Sequence, residues 1–328
     1  MIAIILIVAL AYAFYNGLHD APVILAQLSS SRSIRPVTAL ILTSAMEFLG
    51  AVFFSSMVLK TMSFANISGY WISPAAAGEI QMFALTGLLV ALVFNMATWY
   101  LGFPSSSTHA LFGAMTGAAL ALGSSGGVLL LAMGKLFVVL VASAIAGGTL
   151  GYLLTAGLHQ LHIPRDLGWA TVPAANGFLG SLMALLHGAN DMPKSLGLFL
   201  LALGVRPLDA WAAAIEQYAP FIFAAAISLG VLFGENRILR TLGLRIFSIQ
   251  PLQAFGASIV GAGTLGACTA LGFPVSSTQI LVGSMLGAGA SQNPKAVRWL
   301  VVGEILLSWV VTLPACLVLG YITATILS

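Results

Sequence analysis

Residues 102–118 read GFPSSSTHALFGAMTGA, and residues 272–288 read GFPVSSTQILVGSMLGA. The two stretches are identical at 11 of 17 positions and are offset by 170 residues. A second pair of motifs, GLHDAP at 17–22 and GANDMP at 188–193, recurs in the same order with an offset of 171. Two motifs that recur in the same order at nearly the same offset indicate an internal duplication of about 170 residues.

The composition places this duplicated chain in a membrane. Apolar residues make up 59% of the 328 residues and charged residues only 6%, whereas about 25% of a typical soluble domain is charged. So few charged side chains cannot cover the surface of a water-soluble protein of this size. We therefore exclude a soluble enzyme, a nucleic-acid binder and a disordered chain. The composition predicts an all-α polytopic membrane protein, and we expect its location to be the plasma (inner) membrane.

Ten segments are apolar enough to cross the hydrocarbon layer, which takes about 20 residues of helix. Because five crossings per copy is an odd number, the second copy should enter the membrane upside down relative to the first. We therefore predict two inverted repeats, residues 1–157 and 172–328, joined by a linker at 158–171. The predicted segments are 2–31, 37–59, 80–101, 104–123, 128–157, 172–204, 211–233, 250–271, 274–290 and 297–327.

The basic residues predict an orientation for these ten crossings. Eight fall on one side of the membrane and three on the other, and the larger group is expected in the cytoplasm. Both termini would then be extracytoplasmic. The larger group is Arg32, Arg35, Arg165, Arg237, Arg240, Arg245, Lys295 and Arg298, and the smaller group is Lys60, Lys135 and Arg206.

Each Gly-Phe-Pro sequence should end one helix, and the serines and threonine after it should begin the next. Pro104 and Pro274 cannot continue a helix but suit the first turn of a new one. A helix N-terminus offers free N–H groups and a positive dipole end, and added hydroxyls make a cradle for an oxyanion. Serine and threonine are also ordinary N-caps, but their recurrence in both copies favours a functional role. The six predicted anion ligands are Ser106, Ser107, Thr108, Ser276, Ser277 and Thr278.

We define residues 106–108 as the first cradle and residues 276–278 as the second cradle. Broken backbone at membrane depth is tolerated only where it lines a cavity or is buried in protein. The two short helices that begin at the cradles are therefore expected to be half-helices whose N-termini point at each other near the midplane. A tetrahedral oxyanion between them would accept hydrogen bonds from both sides.

Asp20 and Asp191 are acidic residues within apolar segments, where a carboxylate is costly and usually has a partner or a function. Each lies between a glycine and a proline, so we expect the helix to unwind there. Freed carbonyls, a carboxylate and an amide would form a site for a hard cation. The alternative is that each aspartate caps a half-helix. The neighbouring polar residues are Asn16, His19, His187 and Asn190.

Two further charged residues lie within the predicted crossings. Lys194 follows Asp191 by three residues and would share its helix face. It would either neutralise the carboxylate or supply positive charge to an anion, and the sequence leaves both open; the first copy has Val23 at this position. Glu47 would serve as a relay, as an accessory cation ligand or as a buried structural partner.

These motifs, in their order and spacing, resemble those of the PiT inorganic phosphate transporters, a family of phosphate–cation symporters. That family has a Gly-x-x-Asp motif that opens each repeat and a Gly-(Leu/Phe)-Pro-x-Ser-(Ser/Thr)-(Ser/Thr) motif that closes it. The run NMATWYLG, which begins at Asn95, is similar to the helix before the first closing motif, and His187 also fits. The resemblance implies inverted repeats, a homodimer, and symport of phosphate with Na⁺ or H⁺, with no cofactor besides the co-transported cation.

The resemblance also implies roles for individual residues. The six hydroxyl residues of the cradles would bind phosphate, and Glu47 would act in coupling. This chain departs from many relatives at Ser258, where they carry a glutamate, and at Pro22-Val23 and Pro193-Lys194. The predicted cation ligands are Asp20, Asp191, Asn190 and Asn16, and the accessory residues are Glu47, His187, Lys194 and Asn95.

Three other functions compete with phosphate symport. The same scaffold would suit another oxyanion, such as sulfate. A passive anion channel would use the cradles without a coupled cation. An intramembrane hydrolase would use Ser107 with His109, but no Gly-x-Ser-x-Gly elbow surrounds the serine and Gln279 replaces the histidine in the second copy. The sequence therefore favours a transporter over an enzyme.

Overall fold

The computed structural model describes residues 1–30, 34–62, 77–103, 105–123, 126–161, 165–204, 210–234 and 249–328. Within these ranges the chain is helical and contains no strand, which confirms the predicted all-α fold. Pro104 and the basic residues at 32, 206, 237, 240 and 245 lie outside the described ranges, so the predicted orientation stays a prediction. The helices are α1 (Ile2–Ser30), α2 (Pro36–Phe54), α3 (Ser56–Thr61), α4 (Ala77–Leu101), α5 (Ser107–Ala121), α6 (Gly126–Gln160), α7 (Arg165–Leu203), α8 (Ala210–Leu232), α9 (Pro251–Ala270), α10 (Ser277–Gln292) and α11 (Trp299–Leu327).

Each of the ten predicted crossings corresponds to one of these helices, in the same order. The second crossing is divided at Ser55, so that the short α3 follows α2, and α6 and α7 extend into the predicted linker at 158–171. Helices α5 and α10 have 15 and 16 residues. At 1.5 Å per residue they span about 23 Å, less than the roughly 30 Å of the hydrocarbon layer. They therefore suit the predicted half-helices.

Among the described residues, six helices contain a stretch that is long and apolar enough to cross a membrane alone. This agrees with an integral membrane protein. The stretches are Ile2–Leu28, Pro36–Phe54, Ala77–Leu101, Gly134–Gln160, Ile215–Leu232 and Trp299–Leu327.

The helix packing repeats the duplication that the sequence shows. Helix α1 packs on α8 as α7 packs on α2, and α5 packs on α11 as α10 packs on α6. The counterparts in the two copies are α1 and α7, α2 and α8, α5 and α10, and α6 and α11. When each helix is replaced by its counterpart, one observed pair of packed helices becomes the other. The inverted orientation of the copies, and their boundaries at 1–157 and 172–328, stay predictions.

The predicted unwinding at the two aspartate motifs is wrong. Helix α1 continues through Asp20 and Pro22, and α7 continues through Asp191 and Pro193. A proline inside a helix lacks the N–H donor and crowds the carbonyl four residues before it, but neighbouring groups in a membrane bundle can satisfy the freed carbonyl, so the helix can continue. The expected half-helix caps at these aspartates are therefore absent from the described chain.

The glycines of these motifs have a different role, which is close helix packing. A Cβ atom on Gly17 of α1 would collide with the carbonyl oxygen of Ile227 on α8. At the repeat-related contact, a Cβ atom on Gly188 of α7 would collide with the carbonyl oxygen of Glu47 on α2. Small residues allow such close approach of helices in membranes. These contacts bring α1 and α7 firmly against their partners and fix the height of Asp20 and Asp191.

Candidate functional site

The turns before α5 and α10 are built in the same way. Gly102 and Gly272 both have φ of +74°, a left-handed conformation that glycine adopts without strain. The N–H of Phe103 donates to the carbonyl of Thr98 at 3.0 Å, and the N–H of Phe273 donates to that of Cys268 at 2.8 Å. This pattern ends α4 and α9 with the usual glycine C-cap, so the chain reverses and can start a new helix inside the bundle.

The two short helices begin face to face. Ser106 Oγ donates a hydrogen bond to Ser276 Oγ at 2.9 Å. Each serine is also the N-cap of its own helix, because Ser106 Oγ accepts from the N–H of His109 and Ser276 Oγ accepts from that of Gln279. Pro274 lies two residues before this N-cap rather than in the first turn of α10, where we expected it. The structure thus brings together the two cradles that the sequence singled out.

Asp20 is held by hydroxyl groups from both copies. Its carboxylate accepts hydrogen bonds from Ser107 Oγ and from Thr278 Oγ1, both at 2.7 Å. His19 Nδ1 lies 2.7 Å from Asp20 Oδ1, and the His19 ring also faces Ser105 Oγ at 3.2 Å. The carboxylate is almost fully buried, so these contacts replace the solvation that water would supply.

Asp191 has an equivalent place in the second copy, with one change. Ser277 Oγ donates to Asp191 Oδ2 at 2.6 Å, as Ser107 does to Asp20. The ammonium of Lys194 donates to Asp191 Oδ1. It also donates to Thr108 Oγ1 at 2.8 Å and to the carbonyl oxygen of Val275 at 2.7 Å. Lys194 is completely buried, so its charge is balanced inside the site rather than by solvent.

A chain of three side chains links Glu47 to this site. His187 Nδ1 lies 2.7 Å from Glu47 Oε1, and His187 Nε2 lies 2.9 Å from Asp191 Oδ2. All three side chains are buried. Among the described residues, His187 thus connects Glu47 to the centre, and the accessory role of Glu47 stays a prediction.

The three predicted asparagines differ in their surroundings. The Asn190 amide donates to Thr269 Oγ1 at 3.1 Å and to the Phe273 carbonyl at 3.0 Å, and its oxygen accepts from the N–H of Val275 at 3.2 Å. Asn190 thus clamps the turn before α10. Asn16 and Asn95 are buried, and the described part of the chain offers no hydrogen-bond partner to the side-chain amide of either. Cation binding by Asn190 or Asn16 stays a prediction, as does the accessory role of Asn95.

The predicted cation ligands Asp20 and Asp191 come together at one place. Ligand atoms of Asp20, His187 and Asp191 all lie within 4.8 Å of one another. Two carboxylates at this separation repel each other strongly in a low dielectric unless cations or donors stand beside them. The arrangement therefore offers one compact centre, with helix N-termini and hydroxyls on one side and buried acids on the other.

Comparisons with known proteins agree with this geometry. A model of the phosphate transporter family matches residues 16–177 and 172–320. The chain belongs to this family. A probable low-affinity inorganic phosphate transporter of Bacillus subtilis (strain 168) is 33% identical over 327 residues, which are 99% of this chain and 96% of the relative. A protein of the same description from Rhizobium meliloti (strain 1021) is 36% identical over 315 residues, 94% and 91% of the two chains.

The fold of this family member also matches a solved structure. A structure described as "The sodium-dependent phosphate transporter" aligns with a TM-score of 0.84 over 99% of this chain and 98% of its own, at 21% identity. Membership of the family makes the chain a phosphate transporter of the membrane and not an enzyme, so the hydrolase hypothesis for Ser107 and His109 is excluded. In this transporter His109 Nδ1 instead lies 3.3 Å from the amide of Gln279, its repeat-related residue.

Several residues at the transporter's centre escaped the sequence reasoning. Tyr12 donates from its hydroxyl to the carbonyl of Ser107 at 3.2 Å. It lies eight residues before Asp20, on the same face of α1, and this spacing could have indicated from the sequence that Tyr12 lies near the site. The polar residues Thr98 and Ser105 join the His19 ring, a contact between distant segments that no local pattern indicates. Ser258, at the position of the missing glutamate, donates to Gln27 Oε1 at 3.2 Å.

Proposed function

We propose that this transporter carries inorganic phosphate by symport with Na⁺ or H⁺. Phosphate would bind at the two cradles, and the cation would bind at Asp20 and Asp191. The single observation that carries the proposal is the direct meeting of two helix N-termini, Ser106 to Ser276, beside two buried carboxylates. The family and the descriptions of its members support phosphate as the anion.

The anion side of the proposal rests on helix geometry. The N–H groups of the first two residues of α5 and α10 have no acceptor within their own helix. The positive dipole ends of both helices meet at one point, where they stabilise negative charge. The hydroxyls of Ser107 and Ser277 donate to carboxylates and are free to rotate toward the phosphate oxygens when a cation takes over the carboxylates.

The cation side follows from charge. A phosphate anion placed beside Asp20 and Asp191 would face strong repulsion at low dielectric. A cation bound at the carboxylates removes this repulsion and releases hydroxyl donors to the anion. Linkage then requires that each ligand tighten the binding of the other by the same factor. This mutual dependence is the coupling of a symporter, and it needs no chemical step.

Transport would follow when the neutralised site becomes occluded and opens to the other side. We propose that helices of one copy rock against those of the other around the cradles, as in other transporters with repeated halves. Because the Ser106 and Ser276 oxygens are 2.9 Å apart, this contact must separate before an ion passes between them. The homodimer and the extracytoplasmic termini implied by the resemblance complete the proposal.

The test is uptake of radiolabelled phosphate by proteoliposomes that contain the purified protein. Na⁺, K⁺ and pH gradients are imposed separately, with sulfate and arsenate as competitors. We expect uphill phosphate accumulation driven by Na⁺ or by protons, and competition by arsenate. Equilibration without accumulation under every gradient would instead identify a passive anion channel, and stronger competition by sulfate would identify a different oxyanion as the substrate.

A further inference from the structure

The two repeat-related aspartates of the site, Asp20 and Asp191, differ in the group that donates to their carboxylate Oδ1 atoms. In the half that contains Asp20, Thr278 Oγ1 of the second cradle donates directly to Asp20 Oδ1 at 2.7 Å. The repeat-related threonine is Thr108, and it would be expected to donate to Asp191. Instead Thr108 donates to the Val275 carbonyl at 3.0 Å, and the ammonium of Lys194 stands between its hydroxyl and Asp191.

The surroundings of the Lys194 ammonium are those of a small cation. Its three acceptors are a carboxylate oxygen of Asp191, the hydroxyl oxygen of Thr108 and the carbonyl oxygen of Val275. Carboxylate, hydroxyl and backbone oxygens together are the donor set that proteins use for hard cations. The ammonium occupies the point where these three oxygens converge, and the side chain has no exposed surface.

The same contacts decide between the two roles that the sequence left open for Lys194. An ammonium has three N–H donors and no acceptor. All three protein oxygens around Lys194 are hydrogen-bond acceptors, so its donors are directed at the protein and none is left over for an anion. Lys194 therefore neutralises Asp191 and does not act as a phosphate ligand in this arrangement.

We propose that Lys194 is a resident cation that fills one of two repeat-related cation positions, so that the Asp191 half of the site binds no transported cation. This inference rests on the proposed function and narrows it, because it reduces the two cation positions proposed there, Asp20 and Asp191, to the one at Asp20. The transported cation would use the Asp20 half alone, where Val23 replaces the lysine. It would enter between Asp20 and Thr278, with the carbonyl of Ser105 as the counterpart of Val275.

The experiment removes the ammonium and asks whether Na⁺ replaces it. Lys194→Ala leaves the three oxygens facing the space of the lost side chain, whereas Lys194→Met removes the charge but fills that space. The purified proteins are melted in detergent at increasing NaCl, against choline chloride at equal ionic strength and without phosphate. We expect the saturable Na⁺-dependent rise in melting temperature to be larger in Lys194→Ala than in wild type, whereas Lys194→Met should keep the wild-type response.

Two further variants make the assignment specific. The double variant Lys194→Ala, Asp191→Asn should lose the additional Na⁺-dependent rise in melting temperature, because the carboxylate ligand is gone. Val23→Ala is a matched control that opens a cavity at the repeat-related position without removing a charge, and it should keep the Na⁺ response of wild type. In proteoliposomes, the Hill slope for Na⁺ in phosphate uptake should be higher by about one in Lys194→Ala than in wild type.

An unchanged Na⁺ response in Lys194→Ala, or an equal gain in Lys194→Met, would overturn the proposal. If Lys194→Ala is recovered only as aggregate in choline chloride, the variant is purified again in NaCl. Recovery of folded protein in NaCl supports the proposal that Lys194 is a resident cation. Aggregation in both salts contradicts the proposal. Melting is measured without phosphate, whereas wild-type uptake tests the proposed function. A failure of the Lys194 proposal is therefore distinguishable from a failure of the proposed symport.

Discussion

Ser106 Oγ lies 2.9 Å from Ser276 Oγ, although 170 residues separate the two serines in the chain. A second repeat-related pair, His109 and Gln279, lies three residues further along and is also in contact, at 3.3 Å between His109 Nδ1 and the Gln279 amide nitrogen. The two copies therefore meet at their own equivalent residues, and the N-termini of α5 and α10 form the centre of the molecule. Every hydroxyl of the cradles takes part in a hydrogen bond there, so a change at one residue should be felt in both halves.

Removing a hydroxyl that donates to an aspartate should weaken transport. Ser107→Ala and Ser277→Ala each delete a donor to a buried carboxylate and one predicted phosphate contact. Hydrogen bonds to charged groups contribute about 1.5–3 kcal/mol, which corresponds to a loss of roughly 10- to 100-fold in phosphate uptake at limiting substrate. Initial rates in proteoliposomes measure it.

Ser143→Ala is the matched control for these two variants. Ser143 is a buried serine of α6 whose hydroxyl donates to the Leu140 carbonyl in its own helix. Its replacement should leave uptake close to that of wild type. Equal losses at Ser143 and at the cradle serines would mean that the cradle hydroxyls act only through packing.

Replacing the aspartates should weaken phosphate and cation binding together. In Asp20→Asn the carboxylate that accepts from Ser107 and Thr278 loses its charge, so the cation is held less tightly and phosphate loses its partner. The phosphate KM, measured at several concentrations of the driving cation, should rise and lose its dependence on that cation. Unchanged uptake in both Asp20→Asn and Asp191→Asn would contradict the cation assignment.

The two aspartate variants should differ in stability. Asp191→Asn leaves the buried ammonium of Lys194 without its carboxylate, and breaking a buried ion pair by removing one partner costs about 3–5 kcal/mol. We expect Asp191→Asn to lower the melting temperature in detergent more than Asp20→Asn does. The double variant Asp191→Asn, Lys194→Met should recover part of this loss, and no recovery would argue against the pairing.

Glu47 should matter for coupling because His187 connects it to Asp191. Glu47→Gln removes the negative charge that faces His187 Nδ1 and should reduce gradient-driven phosphate accumulation by about tenfold or more, the range of a hydrogen bond to a charged group. Glu79→Gln is the control, because Glu79 lies exposed in the first turn of α4. Equal accumulation by the two variants would remove Glu47 from the coupling path.

The close approach of α7 to α2 predicts a stability effect. A Cβ atom on Gly188 would overlap the Glu47 carbonyl, whereas one on Gly303 of α11 would meet nothing within 4 Å. Overpacking of this kind costs about 1–3 kcal/mol. Gly188→Ala should therefore melt at a lower temperature than wild type in detergent, and Gly303→Ala should not. Equal melting temperatures for the two variants would contradict the close contact.

The helices and the meeting of the cradles could be predicted from the sequence for physical reasons. Long apolar runs must be helical in lipid, and a Gly-Phe-Pro turn followed by hydroxyl residues marks a helix start at any depth. The offset of 170 residues then pairs Ser106 with Ser276. These signals are local or repeated, so they can be recognised in the sequence without knowledge of the tertiary contacts.

Whether the helix unwinds or continues at the two aspartate motifs could not be predicted, because this depends on neighbours that are remote in sequence. A glycine that permits unwinding and a glycine that permits close packing look the same in a sequence, and Gly188 is of the second kind. The role of Lys194 stayed open for the same reason, since its acceptors Thr108 and Val275 are 86 and 81 residues away.

A structure of the protein in lipid nanodiscs with arsenate, an electron-dense analogue of phosphate, and with the driving cation tests the two-cradle site most directly. We predict one arsenate within hydrogen-bond distance of both cradles, with Ser106 and Ser276 moved apart to admit it and Asp20 facing the cation. An arsenate bound away from both cradles, or bound to one cradle while the Ser106–Ser276 contact persists, would contradict this prediction.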